Sequence, residues 1–250
     1  MNLTPITPDR FTDSRLSLHE TADRKLLVKV FLNADKKARR DLEAAKLTRW
    51  RAAGFRVPQL AEMPVPGERE PYLVMEFVPG DTLKHFLRDT AIELDRRLAT
   101  LAELFAVNYR RHLQARVQND LLLVHTDPNT DNVILNADGF CFIDFEHSTR
   151  LSDVGTAIAN EVATFARRII RDLGVEHSRS VMVRLLAAYH HDREIFDRVE
   201  ALTFGRPWQW LHRIKDQVVR WKNTGTVTRY HVADLIRQLR PRPDAVQAAM

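Results

Sequence analysis

Apolar and polar positions change rhythm several times along this chain, and each change predicts an element. From residue 15 to 32 ("RLSLHETADRKLLVKVFL") they alternate and then run together, the pattern of two strands with a turn near residues 21–24. The next stretch, "NADKKARRDLEAAKLTRWRAAGF", becomes helical, with apolar residues at Ala38, Leu42, Ala45, Leu47 and Trp50 and with Gly54 as a stop. "VPQLAEMPVPGERE" is punctuated by Pro and Gly and reads as a loop or edge segment. "PYLVMEFVPG" reads as a strand ended by Pro79 and Gly80, and "DTLKHFLRD" as a helix capped by Asp81 or Thr82. Residues 92–118 form one long amphipathic helix.

Three short apolar runs follow, at 121–124, 133–135 and 140–143, each read as a strand and each trailed by Asp, Asn or Glu. "NADG" (residues 136–139) between the second and third reads as a hairpin turn. After Leu151 the pattern is mainly helical, with breaks near Gly174, 205–207 and Gly225. Strands with one helix, then a strand-and-loop connector, then mostly helix predict an α+β chain of two lobes, divided as 1–78 and 79–250, and not an alternating βαβ sheet.

Composition narrows the class. The chain has 250 residues, 44% hydrophobic and 28% charged, ordinary for a globular protein with a sizeable core. No apolar run approaches the ~20 residues of a membrane span, and the N-terminus "MNLTPITPDRFTDSR" has no apolar core of a secretory signal. The single cysteine, Cys141, sits in an apolar run and fits a reducing compartment, so a cytoplasmic protein is expected. A net charge of +5 favours anionic partners. Zinc spacings, an aromatic RNA-binding signature and a Walker-type glycine loop are all absent, which argues against dedicated nucleic-acid binding.

The polar ends of the three runs carry the candidate chemistry. They contain His125-x-Asp127-x-x-x-x-Asn132, and Asp144 follows twelve residues later in "IDFE". Asp and Asn are ordinary turn residues. Phosphoryl transfer, however, needs a carboxylate to orient the attacking hydroxyl and oxygen ligands for Mg²⁺ on the nucleotide phosphates. Asp127 suits the first role, Asn132 and Asp144 suit the second, and His125 suits a brace for the loop.

At these residues the chain resembles the protein-kinase-like superfamily, in particular its aminoglycoside and choline phosphotransferase branch and the bacterial lipopolysaccharide core (Kdo/heptose) kinases. "HTDPNTDN" looks like their catalytic loop and "IDFE" like their metal-binding motif. The resemblance implies a bilobal fold with ATP and Mg²⁺ as cofactors. It makes Lys29 in "LLVKVF" the phosphate-binding lysine, Glu43 its partner, and Glu76 and Val78 in "YLVMEFVPG" the adenine-binding hinge. Taken singly, such a lysine is more often a strand-edge solubilising residue and such a glutamate a surface charge on a helix; their order and spacing before the catalytic loop favour the functional reading. Asp153 either braces the catalytic loop or caps the next helix. Glu146 sits near a second metal or a cation, or caps the next segment.

The chain departs from the family at the phosphate loop, since no glycine precedes Gly54. That leaves open a pseudokinase acting as a binding module. The C-terminal stretch "RPWQWLHRIKDQVVRWKN" is dense in Trp, Arg and Lys, with Trp208, Trp210 and Trp221 as core or contact residues. It suits an anionic, sugar-like acceptor, with room for peripheral contact with the inner membrane surface. The expected activity is phosphorylation of a sugar hydroxyl in the lipopolysaccharide core, with an aminoglycoside- or choline-type kinase as the alternative.

Overall fold

Val28, Val30 and Phe31 give the segment around Lys29 strong strand character, and it becomes an inner strand of an antiparallel sheet. The computed structural model describes residues 3–5, 13–20, 24–205 and 227–240. Residues 21–23, Trp208, Trp210, Trp221 and the expected breaks at 207 and 225 lie outside the described residues. The sheet has the order β1 (Leu3–Pro5), β2 (Ser14–Glu20), β3 (Lys25–Phe31), β4 (Tyr72–Glu76). Lys29 stands opposite Leu16 on one side and Leu73 on the other. Leu26, Val28 and Val30 point to one face and pack with Val65 and Val74. The two-residue period therefore sends Leu27 and Lys29 to the other face.

Helix α1 (Lys36–Ala52) buries Glu43, Lys46, Leu47 and Trp50, a stripe at helical spacing. Trp50 is wholly enclosed, with the rings of Phe55, His125, Phe142 and Phe145 around it at centroid distances of 4.7 to 6.1 Å. A second, small sheet has the order β5 (Asp81–Thr82), β6 (Val133–Asn136), β7 (Gly139–Phe142). Asn136 pairs with Gly139 across the "NADG" turn, and Gly139 takes a φ of 99° there. The run at 121–124 is not a strand. After Asn119 ends the preceding helix in the left-handed region, Asp120 accepts a hydrogen bond from the Leu122 N–H and winds Leu121–Leu123 into one 3-10 turn. A local cap outcompetes strand propensity where no neighbouring strand is available.

The helices are α2 (Leu83–Arg88), α3 (Leu94–Gln118), α4 (Val154–Leu173), α5 (Ser178–Ala188), α6 (Arg193–Phe204) and α7 (Arg229–Leu239). Most of α4 is buried, because α2, α3, α5, α6 and α7 all pack on it. Gly174, at φ 120°, ends it. Asp153 is its N-cap, accepting from the Thr156 N–H at 2.7 Å and pairing with Arg198. No described helix is long and apolar enough to cross a membrane.

Two compact units result. One comprises Met1–Thr82, His125–Asp127 and Asn132–Arg150; the other comprises Leu83–Val124, Pro128–Asp131 and Leu151–Met250. The chain is α+β, with the antiparallel strands and α1 in the first unit and the other helices in the second.

Candidate active site

Within the first unit, Lys29 on β3 meets α1 and the segment after β7. Its Nζ lies 2.8 Å from Glu43 Oε2, 2.7 Å from Asp144 Oδ1 and 3.0 Å from Glu146 Oε2. Glu43 is 2% exposed, so it is a core carboxylate and not a surface charge of α1. Burial pulls the Lys29 ammonium down, but Glu43, Asp144 and Glu146 outweigh it and hold the pKa above the ordinary lysine value. Burial pushes Glu43 up to about 7 against the pull of Lys29, with Asp144 and Glu146 adding to the rise. Burial likewise opposes ionisation of Asp144, yet Lys29 leaves it below the usual carboxylate value. Arg39 on α1 neutralises part of the surplus, reaching Glu146 at 3.1 Å and Asp13 at 2.8 Å.

The loop residues are tied to the same place by the backbone. Asn132 donates from Nδ2 to the Asp127 carbonyl at 3.0 Å, and the Ile143 N–H donates to the Asn132 carbonyl at 3.0 Å. The second bond extends the β6–β7 pairing and sets Asp144 beside Asn132. His125 lies 3.1 Å through Nε2 from the Ile143 carbonyl and stacks on Phe145, its ring buried. It thus joins the start of the segment His125–Asn132 to the segment that carries Asp144. Asp144 sits in the left-handed region at φ 64°, a costly conformation for a non-glycine residue that aims its carboxylate at Lys29.

A cleft of about 290 Å³ opens beside this cluster, near the lower end for ligand pockets. Leu16, Leu27, Met75, Val78, Ile134 and Ile143 give it apolar walls, and Lys29, Glu43, Asn132 and Asp144 supply its polar end. Glu76 and Val78 both line it. The N–H groups of Glu76 and Phe77 are spent on the carbonyls of Gln59 and Lys25, whereas among the described residues no backbone carbonyl takes the N–H of Val78.

Two sets of side chains gather ligand atoms within 4.8 Å of one another: Asp127 with Asp144 and His147, and Glu43 with Asp144 and Glu146. The second set is engaged by Lys29. The first is part-exposed and, with Asn132 lining the cleft beside Asp144, offers the oxygen donors a hard cation such as Mg²⁺ prefers. His147 and Arg39 carried no spacing signal in the sequence, and Glu146 carried only an ambiguous one. Cys141 takes no part: it is buried and its thiol is pushed up to about 12.

The geometry agrees with what the chain is similar to. Among curated proteins none is detectably similar. Among solved structures, one of WaaP in complex with acyl carrier protein matches with a TM-score of 0.51 and 17% identity, over 89% of this chain and 87% of that one. At that identity the likeness is one of fold. Residues 19–158, more than half of the chain and all the residues assembled around Lys29, match the RIO domain. The chain therefore belongs to the RIO-domain family and has a protein-kinase-like fold.

Proposed function

We propose that the protein transfers the γ-phosphoryl group of ATP to a hydroxyl of a sugar, in the lipopolysaccharide core. The observation that carries this reading is the convergence of Lys29, Glu43 and Asp144 beside Asp127 and Asn132 at the polar end of an apolar cleft. In this reading the apolar walls take adenine, with the Val78 N–H as donor, and Lys29 turns toward the α- and β-phosphates. Asn132 and Asp144 would hold Mg²⁺, which when bound neutralises charge on the phosphates. Asp127 accepts the proton of the acceptor hydroxyl as its oxygen attacks the γ-phosphorus, and the bond from that phosphorus to the bridging oxygen of ADP breaks. His125 keeps the loop and the metal motif in register and does not exchange protons with the acceptor.

The sugar acceptor is supported by the resemblance to the lipopolysaccharide core kinases and by the basic second unit. A second reading, a protein hydroxyl as acceptor, is favoured by the RIO match. Incubation of γ-labelled ATP and Mg²⁺ with deacylated core oligosaccharide, a basic protein mixture, aminoglycosides and choline separates these. Label in the oligosaccharide, abolished by Asp127→Asn with nucleotide binding retained, is the expected outcome. Label only in protein or only in the cationic acceptors rejects the sugar assignment. No transfer to any acceptor, with no thermal shift by ATP, makes the chain a pseudokinase.

A further inference from the structure

We propose that arginines in the C-terminal half of α4 form a subsite for an anionic group, phosphate or carboxylate, of the acceptor. This rests on the sugar-kinase reading above and adds a charge requirement to it. Arg167, Arg168 and Arg171 lie within five residues of α4, so Arg171 neighbours both of the others on the helix surface. An arginine face is most often simply solvated, but two of these three side chains are not. Arg167 and Arg168 are part-buried, and among the described residues no carboxylate pairs with either. The Nε of Arg168 is buried with no hydrogen-bond partner among the described residues.

The nearby carboxylate is already committed. Asp172 meets Arg88 at 2.7 Å and Arg171 at 3.4 Å, and it accepts the hydroxyl hydrogen of Thr130. Thr130 belongs to the catalytic-loop tetrapeptide Pro128–Asp131, which lies in the same unit as α4. Arg171 is thus one carboxylate away from Thr130 in that tetrapeptide. Burial, then the like charges of Arg168 and Arg171, lowers the Arg167 pKa, as expected where guanidinium groups crowd without counter-ions. Planar guanidinium forks match phosphate and carboxylate oxygens. Part-burial favours such a discrete group over a flat lipid surface.

The test is calorimetric titration of the full chain with deacylated core oligosaccharide. The same oligosaccharide, dephosphorylated and with its carboxyl groups reduced, serves as the uncharged comparison. Wild type is expected to bind the charged form at least tenfold more tightly. R168Q/R171Q is expected to erase that preference, R168K/R171K to restore most of it, and R171Q alone, at an exposed position, to weaken it about threefold. Equal affinity of wild type for both forms, or a preference that survives in R168Q/R171Q, overturns the subsite. Binding to vesicles of anionic phospholipid that falls in R168Q/R171Q while the oligosaccharide preference persists assigns the arginines to a membrane and also overturns it. Phosphoryl transfer to the oligosaccharide is followed in parallel. Transfer without charge preference defeats the subsite alone, and charge preference without transfer defeats the kinase reading alone.

Discussion

Lys29 Nζ lies 2.7 Å from Asp144 Oδ1 while it also holds Glu43 at 2.8 Å. With Glu146 added, the carboxylates around this ammonium outnumber it by two, and Arg39 answers only one of them. The remaining negative charge suits a site completed by a cation and opposes a bare polyphosphate. Asp144→Asn should abolish the part of the ATP thermal shift that depends on Mg²⁺ and leave the Mg²⁺-free shift equal or larger. A variant that retains the full Mg²⁺-dependent shift would show that Asp144 is not a ligand.

The same cluster makes a pH prediction. Glu43 has a folded pKa of about 7, above its unfolded value of 4.5, so it stabilises the fold below pH 4.5 and that contribution is lost as pH rises through 7. Removing Lys29 takes away the charge that offsets the buried carboxylate. Lys29→Met should therefore cost about 3 kcal/mol at pH 8, in the range for breaking a buried pair, and clearly less at pH 5, where Glu43 takes up a proton. Urea unfolding at the two pH values measures the difference, and an equal loss at both would refute the coupling.

Thr130 and Asp172 provide a positioning test. The hydroxyl of Thr130 donates to Asp172, whose side chain is fully enclosed and also receives Arg88. Thr130→Val keeps the shape and removes the donor, with an expected cost of about 1–3 kcal/mol for a poorly satisfied buried group. Turnover should fall at least tenfold with the KM for ATP unchanged, and Thr130→Ser should restore it. A stability loss with normal turnover would make the bond structural only.

Local pattern sufficed for β2, β3, α1, α3 and the β6–β7 hairpin, because each buries one face and so carries its own period. The spacing of His125, Asp127, Asn132 and Asp144 was legible for a related reason: they flank the strands of one small sheet, and backbone bonds such as Ile143 to Asn132 extend its pairing beside them. Tertiary partners were not legible. Asp172 lies 42 residues from Thr130, and Arg39 lies 107 residues from Glu146; nothing local marks either pair. For Asp153, the cap and the brace predicted the same residue, and only the bond to Thr156 decides for the cap. The apolar run at 121–124 misled because period cannot separate a buried strand from a capped turn.

Gly80 is required by close approach. It has a φ of 146°, and a Cβ there would lie 2.3 Å from the Leu135 carbonyl oxygen and 2.8 Å from Ile134 Cγ2. The contact brings the segment after Val78 against β6, where Asn136 Nδ2 also donates to the Pro79 carbonyl at 2.8 Å. Gly80→Ala should cost about 1–3 kcal/mol, as overpacking does, and weaken ATP binding because Val78 lines the cleft. Gly67→Ala, also at positive φ but with no atom within 4 Å of the added Cβ, is the control for backbone strain alone. Equal effects of the two substitutions on ATP binding would deny any link between Gly80 and the cleft.

Acid should weaken the second unit through a buried cluster that the proposed chemistry does not use. Arg111 donates to Glu161 and to the Leu123 carbonyl, while His112 lies 3.1 Å from Glu161 through Nε2 and 2.9 Å from the Tyr189 hydroxyl through Nδ1. Arg111 Nη2 also lies 3.0 Å from His112 Nε2, so a proton added to the imidazole would face a guanidinium that can only donate. Burial, then Arg111, keeps His112 below its ordinary 6.5. Burial opposes ionisation of Glu161, but Arg111 and His112 overcome it and hold its pKa far below 4.5. Both groups therefore bind protons more readily in the unfolded chain, so the stability they support is present above pH 6.5 and is lost as pH falls. His112 accounts for the loss that begins below about 6.5, and Glu161 for a further loss below about 4.5. Glu161→Gln should cost about 3–5 kcal/mol at pH 7, since it leaves Arg111 buried without its charge partner, and the cost should shrink toward pH 4. Unfolding by urea between pH 4 and 8 is the measurement. A wild-type stability that stays flat from pH 7 to 5, or a Glu161→Gln cost that grows with acid, would be incompatible with this cluster.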